Sequence, residues 1–351
     1  MQMQKTLWYE VEDERIGYIN ETLLPAEFRI DYCSAIQQLG DAIRTLAIRG
    51  APALGVAGAF GVALSARTSR ASSLQELKNE VEIEALRLCE TRPTAVNLSW
   101  GIQRVRRAIS NASTVDELKR IALEEAQNVA AEDALVCRKL GDYGASMLPG
   151  CCTVLTHCNA GALACSEWGT ALGVVRSAVR EGKNVEVIAC ETRPLLQGAR
   201  LTAWEMKRDE IPVTVITDSA AAMLMRLGKI DCVIVGADRI TKDAVFNKIG
   251  TYMHAVCARY HDIPFFVAAP CSTFDPQKSE VEITVEERKR DEIAAFPGPV
   301  MVPDGVPVIN PAFDATPLSL VTAIITENGV LKPPYDIAGV AGFAGKTFGV
   351  R

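Results

Sequence analysis

Five apolar runs in the second half of the chain each stop at residues able to do chemistry. Residues 152–158 end the first, leading through Thr156, His157 and Cys158 into Asn159, Ala160 and Gly161. Residues 185–190 lead into Glu191, Thr192, Arg193 and Pro194, and residues 213–217 into Asp218 and Ser219. Residues 232–235 lead into Gly236, Ala237, Asp238 and Arg239, and residues 265–268 into Pro270, Cys271, Ser272 and Thr273. Short apolar runs of this kind read as buried parallel strands, and open α/β sheets bind ligands at the carboxyl ends of their strands. At that edge a carboxylate can act as a general acid–base and a thiol as a base or nucleophile.

A free cysteine is most often a small buried residue. Cys158 stands instead at a strand end before a helix start, whose amides would favour a thiolate. His157 is its sequence neighbour, but adjacent strand residues face opposite ways, so His157 reads as a core or supporting residue and not as the partner of a Cys–His pair. Asp218 and Ser219 could equally be helix caps. Asp238 follows Val-Ile-Val-Gly-Ala, whose small residues allow close approach of a ligand, and reads as functional.

Basic residues at small-residue turns suggest a phosphorylated small molecule. Arg49-Gly50-Ala51 sets a guanidinium beside backbone amides at a helix start. Arg92 lies at a second helix-breaking turn, and Asn247-Lys248 precede Gly250 and a further helix. No Walker loop or Gly-x-Gly-x-x-Gly motif occurs, so no nucleotide fingerprint is present. The formal charge is −6 with no basic block, which speaks against a nucleic-acid partner. No run of eighteen apolar residues is free of charge, Gly or Pro, so no membrane span is expected. The opening MQMQKTLWYEVEDE lacks a signal-peptide pattern, which gives a cytoplasmic expectation and reduced thiols for the 11 cysteines. Neither the cysteines nor the three histidines have zinc-site spacing, so no metal is expected.

The elements that must hold these residues follow from periodicity. Residues 6–31 alternate as an antiparallel meander. Helical periods follow over 36–48, with Ser34 or the residue before it as cap, then over 53–66, 74–89 and 98–109. The 53–66 segment is apolar all round, with Gly55, Gly58 and Gly61 every third residue, and reads as a buried helix. A long helix starts near Thr114, with Glu117 placed for a capping box. From 151 onward, strands alternate with helices over 166–181, 195–209, 220–227 and 251–260, and residues 306–309 offer a last strand. This alternation means an α/β domain with a mostly parallel sheet. The expected division is an N-terminal α+β domain over 1–113, a connecting helix over 114–149 and an α/β domain over 150–351, as the length suggests two domains.

Six blocks, in order, carry a resemblance: Arg49-Gly50-Ala51-Pro52-Ala53, Thr91–Leu98, Thr156–Gly161, Glu191–Thr202, Gly236-Ala237-Asp238-Arg239-Ile240 and Asn247–Tyr252. They span roughly residues 45–255 and resemble the methylthioribose-1-phosphate isomerases. That superfamily includes the regulatory subunits of the exchange factor for translation initiation factor two, and archaeal ribose-1,5-bisphosphate isomerase. The resemblance implies a Rossmann-like α/β domain, a catalytic pair at Cys158 and Asp238, and substrate contacts at Arg49, Gly50, Ala51, Arg92, Gln197, Asn247 and Lys248. It implies a homodimer, no cofactor or metal, and a sugar-phosphate substrate: 5-methylthioribose 1-phosphate, converted to its ketose in methionine salvage. Two alternatives stay open. One is another pentose phosphate, such as 5-deoxyribose 1-phosphate or ribose 1,5-bisphosphate. The other is a non-catalytic regulatory subunit, which generally lacks the Cys and Asp together.

Overall fold

The computed structural model describes residues 5–93, 95–295 and 298–341. Thr94, in the second of the six blocks, lies outside the described residues. The chain forms two compact units, Met1–Cys137 with Ala162–Gly169, and Arg138–Gly161 with Thr170–Arg351.

The first unit opens with the expected meander, β1 (Leu7–Glu10), β2 (Arg15–Ile19) and β3 (Ile30–Cys33), in antiparallel order β1-β2-β3. Helices α1 (Ile36–Arg44), α2 (Ala51–Thr68), α3 (Leu74–Cys89) and α4 (Val96–Ile109) follow, then α5 (Val115–Ala145), which carries the chain into the second unit. The residues of α2 from Ala53 to Leu64 are all buried, as an all-round apolar helix must be. Its small residues allow α4 to lie directly on it. A Cβ built on Gly101 would come within 1.9 Å of the Gly55 carbonyl oxygen. Backbone cannot give way as a side chain can. Gly101→Ala is therefore expected to cost about 3 kcal/mol, measured as a fall in the urea midpoint, and an unchanged midpoint would refute the close crossing.

The second unit is built on a seven-stranded sheet: β4 (Cys151–Thr156), β5 (Asn184–Cys190), β6 (Val213–Ile216), β7 (Cys232–Val235), then, after two short strands, β10 (Phe265–Ala268), β12 (Ala323–Thr326) and β13 (Gly329–Leu331). Its order is β13-β12-β10-β7-β4-β5-β6, parallel throughout except β13. Helices α6 (Ala171–Arg180), α7 (Ala203–Arg208), α8 (Ala221–Arg226) and α9 (Thr251–Tyr260) join the strands. The two short strands, β8 (Arg239–Ile240) and β9 (Ala244–Lys248), pair with β11 (Phe313–Pro317) in a separate antiparallel sheet of order β11-β9-β8. Among the described residues, no helix is long and apolar enough to cross a membrane.

Several local expectations are corrected. Residues 306–309 form no strand: Pro307 supplies no amide and Gly305 turns with φ 79°. The sheet takes β12 in its place. The helix expected over 166–181 starts only at Ala171, after a short 3-10 turn at Ala162–Ala164. The helix expected over 195–209 begins with a π-helical turn, Gly198–Thr202, and Leu196, at φ 56°, stands outside it. Ser34 does not cap α1; its amide donates to Gln38 Oε1, and Ala35 occupies the cap without a side-chain bond. At α5 the Glu117 amide donates to Thr114 Oγ1 as expected, but the Glu117 carboxylate accepts from Ser113.

Candidate active site

The order of the sheet decides where a ligand would sit in the second unit. The chain enters at β4, moves outward through β5 and β6, then returns to the other side of β4 at β7. The crevice at such a reversal, outside the carboxyl ends of the strands, is where open α/β sheets bind ligands. Cys158 stands two residues beyond β4 and Asp238 three beyond β7, and these two strands pair directly with Leu155 opposite Val233. Both candidate residues therefore flank the switch point. Gly236 brings the two strand ends close, since a Cβ there would lie 2.8 Å from Ala160 Cβ.

Cys158 is partly exposed and holds φ 65°, a backbone conformation that costs a residue with a Cβ about 1–3 kcal/mol. Its neighbours impose this conformation. The Cys158 amide donates to Thr192 Oγ1 at 2.8 Å, and its carbonyl accepts from Thr202 Oγ1 at 2.7 Å. Thr192, itself left-handed, is fixed in turn by Asp218: the Thr192 and Arg193 amides donate to its two carboxylate oxygens at 2.8 and 2.7 Å. Asp218 is thus not a helix cap but a brace for the β5 loop. No α-helix starts directly after Cys158 as expected: α6 begins only at Ala171, past the 3-10 turn Ala162–Ala164.

Beneath Cys158 lies a buried polar network. Asn159 Nδ2 donates to Glu205 Oε1 at 2.8 Å, and Glu205 Oε2 accepts from Arg176 Nη2 at 2.6 Å. Arg176 also pairs with Asp209 through Nε at 2.7 Å. Arg176 and Glu205 are 1% and 0% exposed. Burial alone would depress the guanidinium, yet Glu205 and Asp209 hold it above its ordinary value. Gly161 is required here, as a Cβ would meet the Glu205 carboxylate at 2.4 Å.

The small antiparallel sheet positions the rest of the unit's candidates. Arg239 pairs with Phe246, so the same register carries Asp238 toward Asn247, and the Asp238 amide donates to the Phe246 carbonyl at 2.8 Å. Asn247 is buried and donates through Nδ2 to Thr251 Oγ1 at 3.0 Å. Lys248 Nζ donates to the Ala312 carbonyl at 3.0 Å and lies 4.6 Å from the centre of the Phe313 ring. Gln197, just before the π-helical turn, is 5% exposed, and its buried Oε1 has no hydrogen-bond partner among the described residues. A buried acceptor left unsatisfied costs about 1–3 kcal/mol, which a ligand donor would recover.

Asp314, on β11, caps α9 from outside it, accepting from the Gly250 amide at 2.7 Å and the Tyr252 amide at 3.1 Å. Burial pushes its carboxyl up to about 6, although those two amides favour the charged form. The folded value lies above the unfolded one, so the stability it contributes is fully present below about pH 4 and is lost as the pH rises through about 6. Wild type is therefore expected to gain about 1 kcal/mol over Asp314→Asn between pH 7 and pH 5. Urea midpoints of the two proteins at both pH values check this, and parallel trends would sink it.

The remaining candidates belong to the first unit. Arg49 is buried, and its Nε donates to Glu21 Oε2 at 2.6 Å, with Glu21 1% exposed. Gly50 caps α2 with φ 92°, and a Cβ there would lie 2.4 Å from Ala164 Cα. Ala51 and Pro52 form the first turn of α2. Arg92 lies in the turn after α3, its carbonyl accepting from the Ala95 amide at 3.0 Å. Sequence reasoning named Thr192 only as part of a strand end, and missed Glu21, Thr202, Glu205, His254 and Asp314. Thr192, Thr202 and His254 stand inside or beside quoted blocks, the one signal that could have drawn attention to them.

Residues 47–333 match the model of the initiation factor 2 subunit family. The chain belongs to that family. Within it, the methylthioribose-1-phosphate isomerase of Desulforamulus reducens is 49% identical, over 95% of this chain and 96% of its own length. The 5-deoxyribose 1-phosphate isomerase of Moorella thermoacetica is 48% identical, over 92% and 95%. Among solved structures, 5-methylthioribose 1-phosphate isomerase from Pyrococcus horikoshii superposes with a TM-score of 0.91 at 42% identity, covering 98% of this chain and 97% of that one. A structure described as the delta subunit of translation initiation factor eIF-2B from A. fulgidus gives 0.87 at 50% identity, covering 97% and 99%. Proteins similar to this chain are thus named both as isomerases and as translation initiation factors, and they share this fold.

Proposed function

We propose that this family member is an aldose–ketose isomerase converting 5-methylthioribose 1-phosphate to 5-methylthioribulose 1-phosphate in methionine salvage, in the cytoplasm. The observation that carries the reading is that Cys158 and Asp238 stand just beyond the carboxyl ends of β4 and β7, the two strands flanking the sheet's switch point. The near full-length similarity to named isomerases supports it.

A phosphate on the anomeric carbon blocks spontaneous ring opening. The enzyme must protonate the ring oxygen and move hydrogen from the second carbon to the first, with no net gain or loss of atoms. Asp238 acts as general acid–base. Cys158 assists the hydrogen transfer, as thiolate base or by stabilising the transition state. Lys248 and Asn247 bind the sugar phosphate, and Gln197 Oε1 accepts from a substrate hydroxyl. The proposal extends to Arg49, Gly50, Ala51 and Arg92, whose blocks match the same relatives.

Purified protein offered 5-methylthioribose 1-phosphate, 5-deoxyribose 1-phosphate and ribose 1,5-bisphosphate, with ketose formation followed by NMR, tests the reading. Preference for the first is expected. The Moorella relative's name supports 5-deoxyribose 1-phosphate as a second reading. No turnover of any of the three would favour a regulatory subunit. Deuterium at the second carbon separates the two chemistries: loss to solvent marks proton transfer, and retention marks a hydride shift.

The proposal includes a homodimer. On α9, Tyr252, Met253, Val256 and Tyr260 share one helix face, and each is more than 40% exposed. Met223 and Leu227, of α8 and its cap, are exposed as well. An apolar stripe of this kind marks an interface. Light scattering should give twice the chain mass, and Val256→Glu should give the monomer.

A further inference from the structure

His157 has a structural partner that the proposed chemistry does not use. Its Nε2 lies 2.8 Å from the Ile249 carbonyl oxygen, and its Nδ1 lies 3.1 Å from His254 Nε2. A carbonyl only accepts, so His157 Nε2 carries the proton and Nδ1 holds a lone pair. His254 Nε2 must then donate to it, which leaves His254 Nδ1 bare. That atom is buried and has no hydrogen-bond partner among the described residues. The direction of every bond in the pair is thus fixed by one backbone carbonyl. Burial draws both rings well below an ordinary histidine, His157 to about 4 and His254 to about 3, so both are neutral near pH 7.

The pair touches both halves of the proposed site in this unit. His157 is covalently joined to Cys158. Its ring lies against the β9–α9 turn, where Gly250 holds φ 105° and a Cβ would come within 3.0 Å of His157 Cε1 and Nε2. That turn carries Asn247 and Lys248. Thr251 clamps it through the Asn247 side chain and the Lys248 carbonyl (3.0 and 2.7 Å), and Asp314 clamps it through the Gly250 and Tyr252 amides. His157 supplies the third clamp, and α9 itself returns His254 to hold His157.

We infer that His157 and His254 are positioning residues, a neutral hydrogen-bonded pair that sets the β9–α9 turn with Asn247 and Lys248 against the Cys158 backbone. This rests on the isomerase reading for its kinetic consequence, though not for its geometry. Four side chains, His157, Cys190, Asp218 and His254, bring possible ligand atoms within 4.8 Å of one another. A cation there would have to take the His157 lone pair that His254 already uses, and Asp218 already receives two amides.

The test compares His254→Gln, whose side-chain amide can still donate to His157 Nδ1, with His254→Leu, which cannot. Both are made in the full chain and their thermal midpoints recorded. His254→Leu is expected to lose about tenfold in kcat and to raise KM about fivefold, while His254→Gln recovers most of both, in keeping with the sensitivity of catalysis to small displacements. Equal losses in the two variants at equal midpoints would overturn the inference. A second readout is independent of turnover: alkylation of Cys158 by iodoacetamide, followed by peptide mass mapping. Its rate should change about threefold or more in His254→Leu and not in His254→Gln, and identical rates in all three proteins would overturn the inference even if no pentose phosphate is turned over. Treatment of wild type with EDTA should leave the kinetics and the Cys158 alkylation rate unchanged. A loss restored by Zn²⁺ would replace the direct bond with a metal site.

Discussion

Asp238→Asn is expected to lower kcat by about 10²–10⁴-fold, the range a positioned acid–base group contributes, with the fold unchanged. The substitution keeps side-chain shape and leaves the backbone anchor, since the Asp238 amide, not its carboxyl, donates to Phe246. The amide cannot take up or give up the proton at working pH, so the acid–base function is lost. Steady-state kinetics on 5-methylthioribose 1-phosphate, with a thermal melt as control, provide the measurement. A kcat within tenfold of wild type would remove Asp238 from the mechanism, and the switch-point argument with it. The companion change, Cys158→Ser, then separates the two groups: if they act on one transition state, the double variant should be little worse than the more damaged single one.

The second large effect concerns stability. Glu205→Ala is expected to destabilise the second unit by about 3–5 kcal/mol, because it strips one of two carboxylates, Glu205 and Asp209, from a wholly buried guanidinium. It also removes the acceptor of Asn159, so the Cys158 loop loses a support. Two consequences can be told apart. A triple variant, Arg176→Met with Glu205→Leu and Asp209→Asn, removes all three charges of the buried network and should recover much of the stability. It should not recover kcat, since Asn159 still lacks its Glu205 acceptor. If the triple variant regains both, the network serves the fold only. If Glu205→Ala unfolds no earlier than wild type in urea, the buried pair is not the support described.

Much of the sheet was legible because a strand buried on both faces leaves a short apolar run with punctuated ends. β7 and β10 read directly as Cys-Val-Ile-Val and Phe-Phe-Val-Ala. The small sheet was not legible. β8 has two residues, and β9 pairs with β11, whose partner for Asn247 is Asp314, far along the chain. No local pattern encodes such a pairing. The same holds for the site. Cys158 and Asp238 could be singled out because each ends a recognisable run. Glu205 and His254 look in sequence like any charged or aromatic helix residue. They acquire meaning only from burial, 0% exposed in both cases, and from partners brought in by other elements. Asp218 was ambiguous for a related reason: a carboxylate before a helix is usually a cap, and only the β5 loop beside it made it a brace.

The eight residues Ala162–Gly169 leave the second unit just after Gly161 and belong to the first, before the chain returns at Thr170. There Thr6 and Asp133 bind them, Thr6 Oγ1 donating to the Ala162 carbonyl and the Ser166 amide donating to Asp133 Oδ2. The polypeptide therefore changes units three times, within α5, after Gly161 and before Thr170. One protease cut in α5 would break the only covalent link between residues 1–137 and the rest, yet the excursion, covalently part of the second fragment, would still be held in the first unit by hydrogen bonds to Thr6 and Asp133. A shortened protein beginning at residue 150 would carry the excursion with nothing to receive it, inserted between Cys158 and α6. Subcloning the sheet by itself thus disturbs the very loop that bears the thiol, and the chain is better regarded as a stitched whole than as two separable modules.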